Sequence, residues 1–175
     1  LISGWGYGSG MGKKPRFRVR RALGWVVGLW LCQLILMRFV PVVLTPHFAA
    51  QRSQGHPVNQ DWVALSEISP ELARAVIAAE DNRFCSHWGV DMAAMNKVVS
   101  EVRAGKRMRG GSTISMQTTK NAYLWLSRSK LRKAMEFALV PSVDFVWGKQ
   151  RVMEVYLNLA EFGPGIYGAE AAAKH

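Results

Sequence analysis

The chain has 175 residues, of which 49% are hydrophobic and 20% charged, enough for one domain with a real core plus an extra segment. Its 23 Lys and Arg against 12 Asp and Glu give a net charge of +11, which calls for an anionic partner: nucleic acid, an anionic membrane surface or a phosphate-bearing substrate. Composition does not choose among these, but the two cysteines, Cys32 and Cys85, lie in unlike segments and argue against a disulfide framework, redox chemistry or a zinc site.

Residues 1–10, "LISGWGYGSG", are Gly/Ser-rich and precede Met11; they are expected to be foreign to the natural protein and carry no assigned role. Lys13, Lys14, Arg16, Arg18, Arg20 and Arg21 complete a basic tail over residues 1–21. The run "ALGWVVGLWLCQLILMRFVPVVL", residues 22–44, follows at once. At ~1.5 Å per residue it reaches roughly 34 Å, enough to cross a ~30 Å hydrocarbon core. The preceding cations predict a cytoplasmic N-terminus, with everything after about residue 45 outside. Phe48 stands where a cleavage site needs a small residue, which predicts an uncleaved anchor. Arg38 either snorkels to the outer headgroups or marks a span ending near Met37, with Pro41 beginning an interfacial stretch. The competing reading of the run is a buried helix of a soluble core flanked by a basic arm.

Residues 45–60, with Pro46, Gly55 and Pro57 among polar residues, read as a linker. Beyond Asp61 nearly all of the patterning is helical, with no convincing alternating strand and no internal repeat. Ser69 can cap a first helix whose Pro70 suits the first turn and whose Leu72, Ala75, Val76 and Ala79 repeat at helical spacing. A second helix is predicted from about Asp91 to Val102. After the basic loop "RAGKRMRGG", Ser112 can cap a third; others run from Ser129 to about Val140 and from Lys149 to Leu159, and a last begins after "GPGIYG".

The first of these helices ends on two acids, Glu80 and Asp81. A carboxylate at the negative pole of a helix loses roughly 0.3–1 kcal/mol and has its pKa pushed upward, which makes Glu80 a candidate general base. The plainer alternative is a solvated Glu80–Arg83 surface bridge. In "STISMQTTKNAYLW", Gln117, Lys120 and Asn121 share a face, and Arg128 follows. Arg132 and Glu136 share another at i, i+4, with Lys133 alongside. A glycine pair opening a helix beside such cations suits phosphate. The same residues also read as an ordinary surface pair and a solvated face. Val152, Val155, Tyr156 and Leu159 are core by spacing; Asn158 and Glu161 cap or position neighbours. His87 reads as a structural hydrogen-bonding histidine, since no second histidine lies at ligand spacing.

Taken in order, "EDNRFCSHWG", "RGGSTISMQTTKN", "RKAMEFAL", "KQRVMEVYLN" and "EFGPGIYGAEAAA" resemble the five successive motifs of the peptidoglycan glycosyltransferases, glycosyltransferase family 51. With one anchor, a short tail and no room for a penicillin-binding domain, the chain is similar to the monofunctional members. The resemblance covers about residues 61–175. It implies a mainly α fold with a lysozyme-like lobe and a smaller membrane-dipping lobe, polymerising lipid II at the outer face of the bacterial inner membrane. In that reaction the acceptor's GlcNAc 4-hydroxyl attacks the anomeric carbon of the donor's MurNAc, and undecaprenyl diphosphate leaves with inversion.

By the same resemblance Glu80 is the general base, Lys120 and Arg128 hold the leaving diphosphate, and Arg83, Ser112, Gln117 and Arg132 belong to the substrate sites. Glu136 matches the family's second acid, a positioning or metal-linked group. A divalent ion such as Mg2+ often assists the family, although no metal site can be derived from these residues. The implied partners are lipid II, the growing glycan strand, the membrane and cell-wall synthesis or division proteins, with no nucleic acid. Met116 stands where the family usually has the first of two glutamines, and Met135 where some members have a lysine. The chain also stops at His175 inside what should be a continuing helix, so residues 61–175 are expected to be an incomplete domain, truncated at the C-terminus.

Two readings compete. A lytic transglycosylase or lysozyme-like hydrolase also uses a glutamate at a helix end, but needs no diphosphate-binding cations. A non-catalytic anchored scaffold or anionic-lipid binder explains the charge and the anchor, but leaves the ordered motifs as coincidence.

Overall fold

The computed structural model describes residues 16–106, 110–125, 127 and 129–175. The apolar run forms helix α1 (Arg16–Phe39), which stops short of Pro41 because the ring disfavours helical backbone in the residue before it. Within residues 19–39 an 18-residue window reaches a mean hydropathy of 1.7 with 6% of its residues buried, so this helix is long and apolar enough to cross a membrane and fits an anchor. By internal packing the chain divides into a unit ending at Gln33 and a second unit from Leu34 to His175.

The first unit is helical over its described residues. Leu23, Trp25, Val26 and Leu29 are all more than 60% exposed, an apolar surface that water does not favour and hydrocarbon does.

The second unit is mainly α. Helix α2 (Pro46–Ser53) occupies the start of the segment read as a linker: Thr45 caps it by accepting from the Phe48 N–H at 3.0 Å, Pro46 sits in its first turn, and Phe48 is buried. Helix α3 (Pro70–Glu80) is capped by Ser69 as expected and ends on Glu80. Helix α4 (Met92–Arg103) starts at Asp91, whose carboxylate accepts from the N–H groups of Ala93 and Ala94. Helix α5 (Ile114–Tyr123) is capped by Thr113 rather than by Ser112, one residue later than the sequence pattern placed it.

Helix α6 (Lys130–Leu159) is two helical stretches divided at Gly148, whose φ of 71° and ψ of 164° are not helical; the second matches the helix expected at 149–159, and the first runs on past the end expected at about Val140. The first stretch continues through Pro141. Val140, Val143, Asp144 and Trp147, at i, i+3, i+4 and i+7, are each 0–2% exposed, and burying that stripe outweighs one missing N–H. Helix α7 (Ala169–Ala173) closes the described chain.

Strands are present as well, contrary to the helical reading. β1 (Asn59–Gln60), β2 (Glu161–Gly163) and β3 (Ile166–Tyr167) form a sheet of order β1-β3-β2. β1 runs parallel to β3, with Asn59 opposite Ile166; β2 runs antiparallel, with an irregularity between Glu161 and Gly163. Two- and three-residue strands are too short to show alternation in sequence.

The core lies between α5 and α6. Ile114, Met116, Ala122, Val152, Val155, Leu157 and Leu159 are 0–1% exposed, each of the larger ones contributing roughly 1.5–3 kcal/mol on burial. Two of the buried polar groups share one partner: Ser115 donates to Asp144 at 2.6 Å, and Lys149 holds the same oxygen at 2.8 Å. Asn158 bridges both backbone groups of Val63 at 2.9 Å, the positioning role expected of it.

Candidate active site

The segment between α3 and α4 is pinned from several sides. Asp81, buried, accepts from the Ile114 N–H at 3.1 Å and pairs with His87 Nε2 at 3.0 Å. His87 is therefore a structural histidine. Gly89 has φ 82°, and a Cβ there would stand 2.5 Å from the Val140 side chain, so only glycine lets this loop lie against α6. Thr113, the α5 cap, also donates to the Gly89 carbonyl. The end of α3 and the start of α5 are thereby held in one register.

That register brings Glu80 to Gln117. The Gln117 amide donates to Glu80 Oε2 at 2.8 Å, across 37 residues of sequence. Glu80 is exposed, and among the described residues Gln117 is the donor to its carboxylate. The surface bridge to Arg83 does not form: Arg83 turns to Asp91 instead, at 3.6 Å. The Ala94 N–H, followed by the Arg83 charge, holds the Asp91 carboxyl below the usual range.

Glu136 sits differently. It is 2% exposed, with Arg132 on Oε2 at 2.6 Å and Lys133 on Oε1 at 2.5 Å. Arg132 is itself nearly enclosed and donates to the Ser127 carbonyl at 2.6 Å, so this is a buried cluster and not a solvated helix-surface pair. Lys133 also donates to Ser112 Oγ at 3.2 Å. Lys120, half-buried on α5, has its pKa lowered, first by burial and then by the Arg132 and Lys133 charges, with Glu136 opposing. The described cations around this acid outnumber it, leaving a net positive region suited to an anion.

Both groups meet in one cavity. A space of about 580 Å³ is lined by Glu80, Gln117, Ser112, Lys133, Met95 and Phe137, with Gly110 and Gly111 on its edge. A second space of about 430 Å³ opens on the other side of Glu80 toward Asp81, Asp91, Lys97 and Glu101. Of the predicted residues, Glu80, Ser112 and Gln117 converge directly; Lys120, Arg132 and Glu136 form the adjoining charged cluster. Arg83 stands apart on Asp91, and Arg128 lies outside the described residues.

Lys133 is the cavity residue that sequence reasoning underweighted. Its spacing from Glu136 was visible, but not that its ammonium reaches Ser112. His47 on α2 is another omission. Burial, and secondarily the Lys120 charge, holds its imidazole below the usual range, with Glu161 acting the other way. The Thr45-Pro46 pair, an N-cap followed by a first-turn proline, was the available signal for that helix. Met116, where the resemblance led to an expected glutamine, is fully enclosed in the core and does not line the cavity. Among the described residues no three His, Cys, Asp or Glu side chains converge as metal ligands, and both Glu136 oxygens are already held by cations. This donor set does not fit a resident divalent ion.

The family model described as Transglycosylase matches residues 47–175. The biosynthetic peptidoglycan transglycosylase of Jannaschia sp. (strain CCS1) is 49% identical over 147 residues, 84% of this chain and 60% of that protein. The protein of the same name from Rhizobium etli is 58% identical over 117 residues, 67% of this chain and 50% of the relative. That from Yersinia pseudotuberculosis is 41% identical over 165 residues, 89% and 68% respectively. The chain thus spans about half to two thirds of the length of the curated relatives it matches. With three quarters of its length matched by the family model, and relatives this similar, the chain belongs to the transglycosylase family.

Proposed function

We propose that the protein is a peptidoglycan glycosyltransferase that polymerises lipid II, with α1 as a single-pass inner-membrane anchor, the basic tail in the cytoplasm and residues 61–175 forming part of a periplasmic catalytic domain. Residues 45–60, which include α2, connect the two. The observation that carries the reading is the placement of Glu80 and Lys133 on the walls of one cavity. Among the described residues Glu80 has one neutral donor and an oxygen without a partner, as a base must to take a proton from an attacking hydroxyl. Lys133, Lys120 and Arg132 supply fixed positive charge on the side where a departing diphosphate develops its own.

The steps follow from these groups. The acceptor 4-hydroxyl lies against Glu80 and loses its proton as its oxygen attacks the donor's anomeric carbon. The bond to the diphosphate oxygen breaks on the opposite face, and its charge is met by the lysines and Arg132. Gln117 holds Glu80 in place by its 2.8 Å bond, and Ser112 fixes Lys133. Arg83 and Arg128 are assigned to the substrate sites by motif position. Partners are the glycan strand, the membrane and cell-wall synthesis proteins.

The hydrolase alternative is weaker on a specific observation. A glycoside hydrolase has no diphosphate to hold, whereas here Lys133 shares the cavity of Glu80. The deciding experiment is polymer formation from labelled lipid II by the full chain in detergent, with Glu80→Gln alongside. Polymer from the parent alone supports the reading. Polymer from both removes Glu80 as the base, and cleavage of preformed glycan without polymerisation favours the hydrolase.

A further inference from the structure

The last six residues of α1, from Leu34, belong to the second unit, and carbonyls in and just beyond this stretch are held by side chains more than a hundred residues away. Leu34 is 0% exposed, although Ile35 and Leu36 beside it are 53% and 58% exposed. The Trp147 indole N–H donates to the Leu34 carbonyl at 2.9 Å. Arg151 donates from Nε and Nη2 to the Met37 carbonyl at 3.2 and 2.8 Å, and Nη2 also reaches the Val40 carbonyl. Its guanidinium lies 5.1 Å over the Trp62 ring, and Nη1 pairs with Glu154, which accepts from the Leu65 N–H at 3.2 Å. Arg38 closes the set by donating to the Val146 carbonyl.

Carbonyls at a helix C-terminus lack intrahelical donors and carry the negative end of the dipole, so a fixed guanidinium satisfies both hydrogen bonding and charge. A simple tether would leave those groups to water. Here the donors flank the break at Gly148: Trp147 ends the stretch that bears Lys133 and Glu136, and Arg151 lies in the stretch that follows.

We propose that Arg151, assisted by Trp147, is a positioning residue that clamps Leu34–Val40, where the chain of α1 enters the second unit, to the residues on either side of Gly148, so that this entry is not a free tether. The inference rests on the reading of the reaction given above, in which the substrate's lipid stays in the bilayer. A clamped site then meets the reacting sugars at one height; an unclamped one samples many.

The test uses Arg151→Ala in the full chain, reconstituted in liposomes, with Arg151→Lys in parallel. Lysine keeps a cation for Glu154, and hence the local fold, but cannot fork onto both Met37 and Val40. Spin labels at Phe39→Cys and Gln150→Cys, in a background with Cys32 and Cys85 replaced by serine, report the clamp whether or not the protein is active. A narrow distance distribution in the parent that broadens in both variants is expected, and an unchanged distribution overturns the proposal. In polymerisation, loss of about tenfold or more on bilayer-embedded long-chain substrate, with activity on a water-soluble short-chain donor kept within about twofold, is expected. Equal loss on both substrates overturns it. A parent inactive on both would sink the reading of the reaction, while the spin labels would still decide the clamp.

Discussion

The end of α3 and the first turns of α6 each present a glutamate, and the two are held in opposite ways. Glu80 is exposed, with one neutral amide on one oxygen; Glu136 is 2% exposed, with a cation on each. An acid whose lone pairs are committed to two buried cations is a fixed counter-charge that organises Lys133 and Arg132. An acid with an open oxygen at a cavity wall is available for proton transfer. Two carboxylates of equal chemistry thus acquire separate roles from their partners alone, the general logic of paired acids in active sites.

The largest expected effect tests the open acid. Glu80→Gln keeps the shape and the Gln117 neighbour but removes the base, and should lower polymerisation by roughly 100- to 10,000-fold while lipid II binding and Tm stay near the parent's. Measured turnover within tenfold of the parent's would erase the distinction between the two glutamates. Next is the closed acid: Arg132→Ala leaves Glu136 with one cation in a buried setting and should cost about 3–5 kcal/mol, read as a lowered midpoint in chemical denaturation. A midpoint equal to the parent's would mean that Glu136 is not held as described.

Gln117→Ala sharpens the contrast from the other side. Losing the one donor to Glu80 should reduce turnover by about tenfold, the weight of one hydrogen bond to a charged group, without a comparable loss of stability. The smallest effect is a pH dependence. Because folding lowers the Lys120 pKa, binding of inorganic diphosphate, which needs the charged form, should fall as pH rises through that lowered value, before an exposed lysine would titrate. Unfolding takes up a proton in the same window, so stability contributed by this group rises with pH there. Calorimetric titration of diphosphate across alkaline pH checks it, and Lys120→Arg should move the fall to higher pH.

Much of the site was legible because it is local. The Ser69 cap and the helical period put Glu80 on the last residue of α3, and the i, i+4 spacing joined Arg132 to Glu136. The alternative partner for Glu80 was wrong, since nothing in a three-residue spacing reveals that Asp91 competes for Arg83. Helix α2, the short sheet and the continuation of α6 through Pro141 were likewise hidden. Each depends on what the segment packs against, and burial of the Val140–Trp147 stripe overrides the local signal of a proline.

By itself, the sequence determined the apolar helix, the helix ends that carry charge and the ordered motifs that led to the family, all set by caps, periodicity and residue type within a few turns. The tertiary structure alone decided that Gln117 serves Glu80, that Lys133 reaches both Glu136 and Ser112, and that Arg151 holds the end of α1. Those contacts join residues up to 114 positions apart wherever they cross between elements, and they form only once burial of the α5–α6 core has fixed the relative placement of the helices that bear them.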